Sequence, residues 1–325
     1  MSTDQPAPEV SVVMSVYNGA AALPRTLESV LTQTGVDFEF IVIDDGSTDG
    51  SGAILDDWAA RDPRLRVIHQ HNTGLTRALI RGCAEARGAF IARQDCGDVS
   101  LPGRLAAQAE RLREISDLAF VSCAVRYVFW RAAECIELYV ADCDSTSLHP
   151  SSIIDLTQPH GVRFGPNHHG SVMFRRATYL HVGGYRADFY YGQDWDLWYR
   201  LGEVGLYACL PGTLYEASLS PGDISLESGT RQRAIGACSL RALRLRQRGK
   251  SESDVLAQAR SFHPSKLGKT RRNRAGAAEY FIAECLRRRG KIRLAKELFI
   301  ECLTKNPLHI KASARLVQTL FSADR

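Results

Sequence analysis

Along the first two hundred residues, short apolar runs alternate with stretches whose apolar residues recur at helical spacing. "VSVVMSVYN" (10–18) is apolar, β-branched and short enough to be a buried strand. "GAAALPRTLESVLTQTG" follows, with Leu23, Leu27, Val30 and Leu31 at helical spacing and Gly35 as the stop. "FEFIVIDDGSTDGS" reads as a second buried strand ending in acids and turn residues, and the helical "AILDDWAARD" leads on to the strand "LRVIHQ". After "HNTGLTRALIRGCAEARG" comes "FIARQDCGDVS" (90–100), a strand running into a turn that carries Asp95 and Asp98. This alternation predicts an α/β fold with a mostly parallel sheet and helices on both faces. Such sheets bind ligands beyond the carboxyl ends of their strands. The polar motifs fall there: Tyr17 and Asn18 after the first strand, Asp44 and Asp45 after the second, Asp95 and Asp98 after a later one.

Strand-like runs return between 118 and about 148, in "LAFVSCAVRYVFW" and "ECIELYV". The stretch "GPNHHGSVMFRRATYLHVGGYRADFYYGQDWDLWYRLGEVG" holds a strand, "SVMFRR", and a helix opening near Asp194. Alternation would turn only one of Arg175 and Arg176 to the same side. "SLSPGDISLESG" closes this part, and from about residue 231 the pattern is helical throughout. "AAEYFIAECLRRRGKIRLAKELFIECLTKNP" resembles one tetratricopeptide-type helix pair, with Gly290 at the turn, Ala295 and Phe299 inside and Pro307 at the end. A single unit of that kind serves equally as a helical cap on the main domain. Three parts are expected: a disordered 1–8, an α/β domain over 9–228 and a helical extension over 229–325.

Composition changes little in this picture, since 45% hydrophobic and 24% charged residues are ordinary for a globular chain. The formal charge of +5 is more informative because it is uneven. Arg and Lys crowd the last hundred residues, as in "RALRLRQRGK" and "LRRRGKIR". Solvated helix faces account for them; an anionic membrane surface or an acidic protein partner is the sharper reading. Nucleic acid is not expected, because no aromatics are interleaved with the charges for base stacking. Nine scattered cysteines with no C-x-x-C pair predict reduced thiols, neither a disulfide framework nor a zinc site. The N-terminus lacks an apolar signal core, and no segment has the ~18–20 apolar residues of a membrane span. A cytoplasmic protein, at most peripheral at the inner membrane face, is expected.

Acid-bearing loops converging at one sheet edge can accept hydrogen bonds from a base or ribose, hold a divalent ion through hard oxygens, or act as a general base. A nucleoside diphosphate needs the first two. The plainer use of "DDGSTDGS" is to cap the following helix. Taken in order, "SVVMSVYNGAAALPRTLESVLTQT", "FIVIDDGSTDGS", "HNTGLTRALIRGCAEARGAFIARQD" and "YGQDWDLWYRL" resemble the successive motifs of family 2 glycosyltransferases over roughly residues 9–220. That resemblance implies a GT-A fold, a nucleotide-sugar donor with UDP favoured, Mn²⁺ or Mg²⁺, and inversion at the anomeric carbon. It implies a saccharide, lipid-linked or protein acceptor in cell-envelope glycan assembly. By position, Tyr17, Asn18 and Asp44 or Asp45 should touch the nucleoside, while Asn72 and Gly74 flank the nucleotide. Arg77 is placed to reach the ribose or diphosphate, or to be a surface arginine. Asp95 opens the D-x-D metal motif, and Asp194 matches the catalytic base.

A base on the acceptor side works best with its pKa raised by a partly apolar wall, which Trp195 and Trp198 can supply. A plain helix cap is the other use of Asp194, and Asp196 is a second candidate base. His168 and His169 begin the strand on the acceptor side, where a neutral imidazole can bond a sugar hydroxyl or assist at the metal. This chain departs from the family pattern twice. The third position of D-A-D-D is Gly97, leaving Asp98 as the expected metal oxygen, with Asp95 on the ribose side or assisting. Glu216 and Ser218 stand where relatives resemble Y-R-x-H. The departures leave open an inactive GT-A-like binding module that acts through the helical extension.

Overall fold

The computed structural model describes residues 7–131, 134–143, 165–221, 229–263 and 275–319. Nine strands join in one sheet: β1 (Val10–Val16), β2 (Phe38–Asp44), β3 (Leu65–His69), β4 (Phe90–Asp95), β5 (Val99–Ser100), β6 (Leu118–Arg131), β7 (Glu134–Ala141), β8 (Met173–Arg175) and β9 (Leu206–Ser218). Their order is β3-β2-β1-β4-β8-β6-β9-β5, with β7 on β6. The half built from β3, β2, β1 and β4 is parallel. Beyond β4 the sheet is mixed, because β8 runs antiparallel to both β4 and β6 while β6 and β9 are parallel. The mostly parallel sheet expected from the repeating pattern therefore describes the N-terminal half, where strands and helices do alternate.

Alternation along β1 decides which helices cover which face. Val10, Val12, Met14 and Val16 pack with α1 (Leu23–Leu31) through Leu23, Leu27 and Val30, and with α4 (Arg104–Glu114) through Leu105 and Leu112. Val13 points to the other face, where it meets Leu79 of α3 (Leu75–Ala84) and the cluster containing Leu197 and Trp198 of α6 (Gln193–Gly202). These side chains are fully or almost fully buried. At about 1.5–3 kcal/mol for each large apolar side chain, they dominate what holds the layers together. Helix α2 (Ser51–Arg61) lies against β3, and the short α5 (Arg176–His181) follows β8.

The C-terminal helices do not stand apart. Helix α7 (Gly229–Gln247) packs on α6, and α8 (Ser253–Ser261) packs on α7. Helices α9 (Ala277–Arg288), α10 (Ile292–Lys305) and α11 (Ile310–Thr319) lie over the hairpin of β6 and β7. Ile282, Leu286, Leu298 and Phe299 share one core with Val125, Phe129, Leu138 and Tyr215. Ala295 and Phe299 are wholly buried, as the helix-pair pattern predicts, and Gly290 turns the chain with φ +77°. No helix among the described residues is long and apolar enough to cross a membrane.

One expectation is corrected. Cys143, just after β7, and Cys209, in β9, form a disulfide with their Cα atoms 5.7 Å apart. That separation lies within the normal range. The two are 66 residues apart and meet only because β7 and β9 both flank β6, which spacing along the chain cannot reveal. The other cysteines are free. Of the stretch 125–165, expected to shape the acceptor pocket, residues 132–133 and 144–164 lie outside the described residues.

Candidate active site

Strand register assembles the site. Val16 of β1 lies level with Asp44 of β2, and Ser15 of β1 level with Asp95 of β4, so three acid- or aromatic-bearing loops leave the sheet at one edge. This is where the strand order reverses about β1, the crevice in which open α/β sheets bind ligands.

Two loops form the floor. Asp45 is buried and accepts from the backbone N–H of Thr73 and Gly74 at 2.9 and 2.8 Å, and from Gln70 Nε2 at 2.6 Å. It ties the β3–α3 loop to the β2 loop. Asp44 Oδ1 accepts from Ser47 N at 3.0 Å, and its Oδ2 lies 2.8 Å from His69 Nδ1. Asp49 accepts from Ser51 N and Ala20 N and so links the first two loops, while Gly50 is the N-cap of α2. Asn18, at φ +53°, accepts from Thr48 N at 2.7 Å. The carboxylates expected to touch a nucleoside thus also hold the loops. The surface they support is made by the Tyr17 ring, 55% exposed, with Asn72 and Arg77, also exposed. Gly74 starts α3 at φ +86°, and a Cβ there would stand 2.8 Å from the ring of Tyr190. Only glycine fits that contact.

The wall is made by the end of β4 and the segment before β8. Arg93 is 1% exposed and pairs with Asp95 Oδ1. Burial pushes the Asp95 carboxyl up, but the charge of Arg93 holds it below the usual carboxylate range. Asp98 is buried as well: Oδ2 accepts from the Tyr215 hydroxyl and Oδ1 from Ser218 N, each at 2.9 Å. His168 Nδ1 lies 3.7 Å from Asp98 Oδ2 and 4.0 Å from Asp95 Oδ2, and accepts from Gly170 N at 3.1 Å. Burial keeps both His168 and His169 neutral, with Arg93 adding to the effect. His169 Nε2 sits 2.7 Å from the Tyr185 hydroxyl.

Two carboxylates and a neutral imidazole place one ligand atom each within 4.8 Å of one another in Asp95, Asp98 and His168, the one such group among the described residues. Hard oxygens with one nitrogen suit Mg²⁺ or Mn²⁺. Both Asp98 oxygens already accept hydrogen bonds, so Asp95 Oδ2 is the carboxylate oxygen most open to a cation.

Asp194 stands in the first turn of α6, where its Oδ1 accepts from Trp195 N at 2.9 Å. Burial raises its pKa to about 6, and the nearby Asp95 charge adds to the rise. Trp195 and Trp198 pack edge to face, 5.0 Å apart, in the apolar cluster at that helix. Asp196 points the other way, buried between Arg186 and Arg200. Arg175 does not face the site with a free fork, since it donates to the carbonyls of Leu112, Ile115 and Leu118; Arg176 opens α5.

The sequence reading passed over several residues here. Arg93 was findable, because it precedes Asp95 by two in a strand and so shares its face. Tyr185, Tyr190 and Tyr215 carry no local signal, since each reaches the site from a distant element. Arg104, wholly buried, donates to the carbonyls of Arg93 and Gly170 and joins β4 to the β8 side.

Comparison with known proteins agrees with this geometry. The sequence profile of glycosyl transferase family 2 matches residues 11–177, just over half of the chain. EpsE of Bacillus subtilis, named as a glycosyltransferase, is 31% identical over 204 residues, which is 61% of this chain and 68% of EpsE. Among solved structures, Staphylococcus aureus TarS 1-349 has a TM-score of 0.55 at 16% identity, over 96% of this chain and 88% of that one. TarS has also been crystallised with UDP and with UDP-GlcNAc. The mannosyltransferase PcManGT of Pyrobaculum calidifontis, in complex with GDP-Man and Mn²⁺, has a TM-score of 0.55 at 18% identity, over 97% of this chain and 80% of that one. At such identities the structural likeness speaks for the fold, which is GT-A-like with a helical C-terminal region. The matched profile, spanning the strands and loops that build the crevice, establishes that the chain belongs to glycosyl transferase family 2.

Proposed function

We propose that this chain transfers a glycosyl group from a nucleoside-diphosphate sugar to an acceptor hydroxyl with inversion at the anomeric carbon. The observation that carries this reading is Asp194. A carboxyl with its pKa near 6, beside the Arg93–Asp95 pair, is ionised at neutral pH yet basic enough to take a hydroxyl proton. The acceptor oxygen attacks the anomeric carbon as its proton passes to Asp194. The bond from that carbon to the diphosphate breaks on the opposite face, so one displacement inverts the centre.

The nucleoside lies on Tyr17 and Asn18 and against the loops that Asp44 and Asp45 hold, with Asn72, Gly74 and Arg77 flanking it. Asp95, Asp98 and His168 would hold Mn²⁺ or Mg²⁺, which when bound neutralises charge on the leaving diphosphate. His169 and Trp195 border the acceptor side. UDP is the favoured donor nucleotide, supported by the TarS complexes, and PcManGT supports GDP as the second choice. A saccharide, lipid-linked or protein acceptor in cell-envelope glycan assembly fits the reading, with the basic C-terminal helices meeting a membrane face or a protein partner.

Gly97 and Ser218 favour one other reading, a GT-A-like binding module without turnover. Release of UDP or GDP from nucleotide sugars, in wild type and Asp194→Asn, separates them. The enzyme reading expects turnover that the variant reduces by about 10²–10⁴-fold with donor binding kept. Donor binding with no turnover in either protein would favour the module.

A further inference from the structure

Helix α1 delivers a cation to the turn at the end of β4. Thr26 fixes the approach: its hydroxyl accepts from Gly97 N at 2.9 Å and donates to Asp98 O at 2.9 Å. One residue earlier, Arg25 Nη2 donates to Gly97 O at 2.8 Å and to Ser218 Oγ at 3.2 Å, and Ser218 Oγ donates to Gly97 O at 2.9 Å. The guanidinium therefore lies between positions 97 and 218, the two places where this chain lacks the Asp and His of the family pattern. It stacks 4.0 Å over the ring of Trp130, which fixes its plane.

Its remaining donors have no acceptor among the described residues. Arg25 Nε is buried without a partner, and Nη1 makes no hydrogen bond among the described residues. No carboxylate pairs with Arg25 among them. The nearby Glu216 is taken by Arg126 at 2.5 Å. A partly buried guanidinium whose Nη1 has no acceptor and which has no counter-charge among the described residues, set against the turn between Asp95 and Asp98, is built to meet an anion.

We propose that Arg25 is a binding residue for the donor diphosphate, bringing from α1 positive charge to the side of the turn where Gly97 leaves no carboxylate. This rests on the donor-site reading above. Gly97 at φ +100°, with only the Ala22 methyl 3.8 Å from where its Cβ would be, leaves that side open to a phosphate. Binding of the diphosphate then depends only in part on a divalent ion.

Calorimetric titration of UDP and UMP, with GDP and GMP as the second pair, on wild type, Arg25→Gln and Arg25→Lys, each with Mn²⁺ and with EDTA, tests this. Arg25→Gln should weaken the diphosphate about tenfold or more in both conditions and leave the monophosphate nearly unchanged. Arg25→Lys should fall between the two, with thermal melting unchanged in both variants. Undiminished diphosphate binding by Arg25→Gln overturns the proposal. So does equal loss of mono- and diphosphate, which would mark a merely structural role, and so does loss in Arg25→Lys as large as in Arg25→Gln. If the wild type binds none of these nucleotides, the donor-site reading fails and this one with it.

Discussion

At the scale of single residues, the chemistry rests on how burial tunes charge. Asp194 has the surroundings of a base because packing, not a neighbouring cation, sets its pKa: burial raises it to about 6. The sign follows directly. The carboxylate is the working form, so donor turnover should rise as pH climbs through about 6 and level off above it. A cation bound beside Asp95 favours the carboxylate and should move that limb to lower pH. A pH–rate profile with and without Mn²⁺ reads both effects, and Asp194→Asn should remove the limb along with most of the rate. A limb that survives in the variant belongs to another group. The motif run made Asp194 legible in the sequence. Of its environment only the tryptophans of its own helix were legible, since Tyr185 and Arg93 reach it from other elements. Arg93 stood two places before Asp95 in plain view, but a search for carboxylates passes over the cation that orients one of them.

At the scale of elements, register and loop anchoring do the positioning. The alternation of apolar runs and helical stretches was enough to predict β1 to β4 and the helices between them, because each run is bounded by turn residues and each helix has a clear apolar face. The mixed half was harder to read. Strand β8 pairs over only a few residues and reverses direction between β4 and β6, a choice made by tertiary contacts. Asp45 shows what a motif residue does for the loop beside it. It takes two backbone N–H groups and a side-chain amide from the β3–α3 loop. Asp45→Ala should leave these half-buried donors without their acceptor and cost on the order of 1–2 kcal/mol, read by denaturant unfolding. Nucleotide binding should weaken with it, because the loop carrying Asn72 and Gly74 loses its anchor. A variant as stable as wild type would show that the loop holds itself.

At the scale of the whole molecule, the helical C-terminal region is part of the structure that supports the site. Helices α9 to α11 bury Ile282, Leu286, Leu298 and Phe299 against the β6–β7 hairpin. Arg289–Glu137 and Arg131–Glu297 pair across the same junction. Arg186 joins Asp196 of α6 to Glu252 beside α8. The helix-pair pattern was visible in the sequence, but the surface that receives it was not, because Tyr127, Phe129 and Leu138 read simply as strand residues. Chain ending at residue 228 should therefore expose this core and melt at lower temperature, or aggregate. Liposome binding by the basic helices is better tested by reversing charge at Arg288 and Arg293, 73% and 83% exposed, than by deletion. Loss of binding to anionic vesicles would support a membrane role, and unchanged binding would remove it.

The central claim is that the crevice beyond β1, β2 and β4 is a live donor site despite Gly97 and Ser218. The most direct measurement is a calorimetric titration of the wild-type chain with UDP, GDP and dTDP, each with Mn²⁺ and in EDTA. Saturable binding of at least one of them is expected, UDP first, tighter with Mn²⁺ than without. Failure of all three to bind in either condition would contradict it and leave a family 2 fold whose donor site no longer works.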